Sequence, residues 1–221
     1  MLLCMLLVGG DVHFALEGIT NAPIDFGGRL SIELPLGFEV STEVGVMPAV
    51  YAEGVNALLL AVRAYPPEVG VLVRTGLQSS FVWRSHLAYS VWRGLYVAAG
   101  YGLLSFGGGL TAGEALAAVS GQDIPTGFAP REMVRLSSTL HMVDAEVGYR
   151  LIFWNQLVLR VGLGGAFTIA SATRVSTDRQ LLEQSAYFKE FARQVERFLD
   201  HTYRSYVFSP VLTVAIGYRF F

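Results

Sequence analysis

Any nucleophilic or metal chemistry in this chain must come from few groups, because its 221 residues include four histidines and a single cysteine. Ser137, Ser138, Thr139 and His141 have suitable types at close spacing. A hydroxyl beside an imidazole can serve as nucleophile and base in acyl transfer, the chemistry of a lipid-modifying or proteolytic site. Only proximity in sequence joins these four, so a polar strand extension is the preferred reading. His141 and Asp144 are three apart, which on a strand sends them to opposite faces. His13 lies near the chain start, and His201 follows Asp200 at the end of a helical pattern. HExxH, CxxC and phosphate-loop motifs are absent, and Gly107, Gly108 and Gly109 lack the Gly-Lys-Ser/Thr ending of a phosphate cradle. The expectation is no catalytic residue, no metal and no cofactor.

A second set of chemistry-bearing residues is larger and more ordered. Glu17, Arg29, Glu33, Glu39, Glu43, Arg84, His86, Asp144, Glu146, Arg160 and Arg219 occupy alternate positions of segments whose other positions are apolar. Both signs are present, as a mutually neutralised polar network requires. The segments that must position them show period-two alternation, the mark of strands. Their apolar positions are Val12, Phe14 and Leu16; Leu30, Ile32 and Leu34; Phe38, Val40, Val44 and Val46; Phe81, Trp83, Leu87 and Tyr89; Leu95, Val97, Ala99, Tyr101 and Leu103; Val143, Ala145, Val147 and Tyr149; Leu157, Leu159, Val161, Leu163 and Phe167; and Leu212, Val214, Ile216, Tyr218 and Phe220. That predicts eight strands in an all-β fold.

The connections alternate in length. Tight turns are predicted near 35–37, 92–94 and 150–155, and longer loops near 21–27, 48–79, 107–133 and 172–206. Short turns at one end and long loops at the other mark an up-and-down antiparallel barrel, not a Greek-key sandwich. Helical segments are predicted inside the loops, near 51–64, 111–120 and 178–203. The last has an apolar face made by Leu181, Phe188, Phe191, Val195 and Phe198.

Composition narrows the class. The chain is 52% hydrophobic, yet it has no apolar run of about 18 residues that could span a membrane as a helix. A net charge of -2 without a basic stripe gives no sign of a nucleic-acid partner. Residues 1–10, MLLCMLLVGG, read as the apolar part of a secretory signal cut after Gly10, leaving residues 11–221 as one barrel domain. Cys4 would leave with it, so neither a disulfide nor a thiolate site is expected.

The orientation of the two faces decides the function class. With the apolar face inward the protein would be a soluble calycin-like ligand binder. Three features favour the apolar face outward. Small residues (Ala98, Gly100, Gly102, Gly162, Gly164, Ala215, Gly217) thin the polar face, as the narrow interior of an eight-stranded barrel needs. Aromatics such as Trp83, Tyr89, Trp92, Tyr149, Trp154 and Phe220 fall toward strand ends. The charges of mixed sign complete the case, because a filled lumen must neutralise itself.

Thr213, Ala215, Tyr218 and Phe220, a polar and a small residue followed by alternating aromatics, resemble the C-terminal recognition signal of outer-membrane β-barrel proteins. With the strand pattern, residues 11–221 resemble small bacterial barrels of the eight-stranded type, such as the OmpA transmembrane domain, OmpX and OmpW. The resemblance implies a Gram-negative outer membrane, contact with the bilayer and lipopolysaccharide, and an insertion machinery that reads the last strand. It implies a structural or interaction role through extracellular loops that meet a protein or a small hydrophobic ligand. The alternative is a narrow channel or transporter for small or hydrophobic solutes.

Overall fold

The computed structural model describes residues 12–61, 80–111, 133–177, 185–206 and 208–220. The expected signal segment at 1–10 with Cys4, the helix expected at 111–120 apart from Thr111, and Leu181 lie outside the described residues. The strands are β1 (His13–Ala22), β2 (Asp25–Glu33), β3 (Phe38–Val46), β4 (Ser80–Trp92), β5 (Leu95–Thr111), β6 (Met133–Phe153), β7 (Leu157–Thr177) and β8 (Phe208–Phe220). Each pairs antiparallel with its neighbours in chain order, and β1 pairs with β8 to close the ring. At the seam Phe14 stands opposite Phe220, Leu16 opposite Tyr218 and Thr20 opposite Val214. Closure leaves the ring without a free edge, which matters in hydrocarbon, where each unpaired backbone polar group costs several kcal/mol.

Side-chain polarity is inverted relative to a soluble barrel. Glu17 is 1% exposed and Arg84 and Arg160 are 2% exposed, whereas Ile216 is 58% and Leu163 64% exposed. Charge inside and hydrocarbon outside is the distribution of a barrel whose outer solvent is lipid, and β1 to β3 have about the 9–11 residues that a tilted strand needs to cross. The apolar band ends at the turn side in aromatics, with Phe38 against Tyr89, Phe153 against Trp154 and Tyr218 against Phe220. This is a transmembrane β-barrel.

The turns at that end are tight. Leu36, Arg93, Trp154 and Asn155 adopt positive φ, the backbone that brings a right-twisted hairpin round in two residues. Gly94 takes φ 93 and sits so close to the Arg150 carbonyl that a Cβ would collide with it.

Three features depart from the alternation. The connection expected to be long near 21–27 is a two-residue turn, Pro23 and Ile24. Gly27, at the end of the stretch expected to be a loop, lies within β2, where the Val44 backbone comes too near for any side chain. The upper ends of β5, β6 and β7 run further than the pattern shows. Among the described residues β8 meets β7 only from Phe208 opposite Phe167, and β4 meets β5 only from Ser80 opposite Phe106. Above that level the three strands form a flange, so Thr111 belongs to β5 and not to a helix. A register shift beside His141 and Met142 changes which β7 residues face inward, from Ala166 below to Ser171 and Val175 above.

Two helices close the upper end. Helix α1 (Ala49–Ala61) covers most of the segment expected at 51–64. It buries Ala52 and places the Tyr51 hydroxyl 2.5 Å from that of Thr20. Helix α2 (Ala186–Tyr206) falls within and just beyond the segment expected at 178–203. The Ser185 hydroxyl accepts the Phe188 amide at 3.2 Å as its N-cap. Ala192, Val195, Leu199 and Tyr203 recur at three- and four-residue spacing and are buried, while Glu190, Arg193 and Arg197 stay on the outer face.

Candidate functional site

The lumen has two tiers, and the lower one gathers the charged residues. Arg160 on β7 reaches Glu17 on β1 at 3.1 Å and Glu39 on β3 at 2.9 Å. Arg150 on β6 donates to Glu33 at 2.9 Å and to Glu39 at 2.5 Å. Arg219 on β8 binds the other Glu33 oxygen at 2.9 Å and Asn155 at 3.1 Å. Higher up, Arg29 is paired with Glu43 on the neighbouring strand. Arg84 sits 3.3 Å from Asp144, 3.7 Å from Glu43 and 3.8 Å from Asp25. His86 lies between Asp144 at 2.8 Å and Glu43 at 3.3 Å. Gly100 makes room for this group, since a Cβ there would strike the His86 ring and the Asp144 carboxylate.

Neutral groups complete the network. The Tyr96 hydroxyl donates to Glu146, and the Arg160 guanidinium lies 5.0 Å above the Tyr96 ring. The Thr213 hydroxyl bridges Glu146 at 2.5 Å and Asn21 at 2.9 Å. Asn21 in turn donates to Glu43 at 3.0 Å and to Asp25 at 3.2 Å. A cavity of about 10 Å³ among Arg29, Glu39, His86, Tyr96, Glu146 and Arg160 has room for at most about one water. Such a network is stable only when every charge has a partner, because an unpaired buried ion costs several kcal/mol.

The structure places all eleven expected charged and histidine residues in this tier, with further members that sequence reasoning passed over: Tyr96, Asp25, Asn21 and Arg150. Strand parity marks each of them. Tyr96 shares the inward parity of Gly100 and Gly102, Arg150 that of Asp144 and Glu146, Asp25 that of Arg29 and Glu33, and Asn21 that of Glu17.

The upper tier corrects the expectation of a polar lumen throughout. Val82, Leu104, Phe106, Leu140, Met142 and Val211 point inward there and form one apolar core with the buried stripe of α2. The physical reason lies in what fills the space: the buried stripe of α2 presents Ala192, Val195, Leu199 and Tyr203, which offer no counter-ion to a charged wall. Of the expected α2 face, Val195 is buried, whereas Phe188, Phe191 and Phe198 flank the core half-buried. Polar anchors hold the helix to β7. Thr173 donates to the Asp200 carboxylate at 2.9 Å, and the Val175 amide donates to Glu196 at 3.0 Å.

The cluster at 137–141 is spread over both faces of β6. Ser138 turns inward to Thr173 at 3.0 Å, while His141 turns outward to the Tyr101 hydroxyl at 2.5 Å. No Ser–His pair forms among these residues, and among the described residues no group of histidines and carboxylates is arranged to hold a metal ion. Thr213 and Ala215 of the last strand face inward, and Tyr218 and Phe220 face outward.

Comparison with known proteins gives likenesses of shape. The N-terminal β-barrel domain of Pseudomonas aeruginosa OprF is similar at a TM-score of 0.41 and 11% identity, over 95% of this chain and 96% of that one. Acinetobacter baumannii CarO2 is similar at 0.43 and 10% identity, over 96% and 100%. A major outer membrane protein from Thermus thermophilus is similar at 0.43 and 14% identity, over 96% and 100%. No protein-family model and no curated protein matches the chain. The barrel and its inverted polarity rest on the strand pairing and burial of this chain itself.

Proposed function

We propose that this protein is a sealed barrel of a bacterial outer membrane, with a structural or interaction role carried by the loops and helices at its wide end. The observation that carries the reading is the ion-paired lower tier, where the void among Arg29, Glu39, His86, Tyr96, Glu146 and Arg160 holds about one water and so gives no path for a solute. The inverted polarity supports a membrane site, and the likeness of Thr213, Ala215, Tyr218 and Phe220 to the insertion signal supports the outer membrane. An insertion machinery reads that strand, and lipopolysaccharide is the lipid met at the wide end. The tight-turn end then faces the periplasm. Because α2 packs into the barrel mouth, its outer charged face is what it presents to a partner.

Planar-bilayer recording of the refolded chain tests the reading. A silent bilayer with protein verified as inserted is the expected result. Discrete conductance steps in the wild type would sink it in favour of a narrow channel.

A further inference from the structure

The outer wall is not the same all the way round. On the flank formed by β5, β6 and β7, the flange carries Arg135 and Ser137 on β6 and Arg174 and Ser176 on β7, with both arginines exposed. Register sets Arg135 opposite Ser176 and Ser137 opposite Arg174. The two arginines are therefore diagonal neighbours, with Cβ atoms somewhat under about 7–8 Å apart. On β5 the facing positions are Gly107 and Gly109, so the surface beside the arginines is flat. The inner side of the flange packs on α2 through Val134, Leu136 and Val175, which holds the strands in place.

Below the arginines the same flank changes character in steps. Tyr101 and His141 are hydrogen-bonded to each other at 2.5 Å on the outer wall, and Trp83 donates to Thr42 at 3.1 Å beside them. These amphipathic groups mark the edge of the hydrocarbon. Lower still, Ala145 and Gly165 stand opposite each other and floor a shallow groove walled by Val97, Val147, Leu163 and Phe167. On the opposite flank, Phe26, Leu212, Val214 and Ile216 continue the apolar wall upward with no cation above them on β1, β2 or β8.

Height selects the ligand. Arg135 is six residues above His141 on the same strand, about 20 Å along it and roughly 15 Å along the axis at a typical tilt. A phospholipid headgroup layer is only about 5–8 Å deep on each side of the bilayer. The arginines thus stand above phospholipid phosphates, at the level of a headgroup built of several sugars.

We infer that the outer face of the β5–β7 flank binds the phosphorylated sugar headgroup of lipopolysaccharide, with Arg135 and Arg174 on its anionic groups, Tyr101 and His141 at its acyl linkages and a chain in the groove below. The inference rests on the outer-membrane reading above. Guanidinium pairs suit it because they grip phosphate and carboxylate oxygens in a forked geometry.

The test uses the full chain refolded in neutral detergent, its folded state read by the heat-sensitive gel shift. Binding of purified lipopolysaccharide, of the same lipopolysaccharide stripped of phosphate, and of phosphatidylglycerol is measured for the wild type, for Arg135→Gln with Arg174→Gln, and for Arg93→Gln at the opposite end. The double variant is expected to lose about tenfold or more in affinity for intact lipopolysaccharide, with Arg93→Gln unchanged and the other two lipids weak throughout. Equal binding by wild type and double variant overturns the site, as does equally tight binding of phosphatidylglycerol. A chain that folds in plain buffer overturns the membrane reading itself, an outcome the gel shift separates from loss of the site alone.

Discussion

The two tiers of the lumen are both filled by buried side chains, yet one is closed by ions and the other by hydrocarbon, and they differ in how they respond to loss of a single group. In the lower tier Arg160 neutralises two carboxylates from different strands, so its partners cannot regain water if it goes. In the upper tier Leu199 contributes contact area to a core shared by many side chains. A missing side chain there leaves a hole and no uncompensated charge. The lower tier is integral to the wall, whereas the upper one depends on a helix joined to the barrel by its two connecting segments. Stability in such a molecule is expected to be uneven, with the helix opening before the ring.

Arg160→Ala should have the largest effect, costing about 3–5 kcal/mol by stranding Glu17 and leaving Glu39 to Arg150 alone. Urea titration of the heat-sensitive gel band measures this as a loss of the folded ring. Leu199→Ala should cost about 2–4 kcal/mol, but locally. Limited proteolysis should then cut between β7 and β8 while the compact band persists. If both variants lost the band alike, the distinction between integral and docked tiers would be broken. Gly100→Ala should cost about 1–3 kcal/mol through overpacking against His86 and Asp144, read as a lowered midpoint in the same titration. Tyr96→Phe, which leaves the shape but takes the donor from Glu146, should cost about 1–2 kcal/mol. Smallest of all is Thr42→Val on the outer wall, expected within about 0.5 kcal/mol because lipid asks nothing polar of that position. A larger loss there would mean that the Trp83–Thr42 bond matters more to the wall than its exposure implies.

The contrast between tiers also explains what could be read in the sequence. Charged residues on one parity announce themselves, so Glu17, Arg29, Glu43 and Arg160 reveal both the strand and its inward face. Inward apolar residues such as Val82, Leu140 and Met142 do not, because they blur the alternation that defines a face. The upper tier was hidden for that reason, and so was the flange, where Gly107, Gly108 and Gly109 supply no pattern at all. Helix α2 was legible from its own periodicity, but nothing in that periodicity says the stripe of Val195, Leu199 and Tyr203 turns into a barrel. Asp25 lies inside the stretch read as a loop, 21–27, where the chain instead needs close strand approach at Gly27.

In a ring of strands, each backbone touches only its two neighbours, and such a hoop flattens easily under load. Arg150 joins β6 to β2, and Arg160 joins β7 to β3, in both cases strands four places apart and so on opposite walls. These side chains act as spokes. A push on one side of the lower barrel is carried across the diameter and not around the rim, so this end should keep a circular section under lateral pressure from the bilayer.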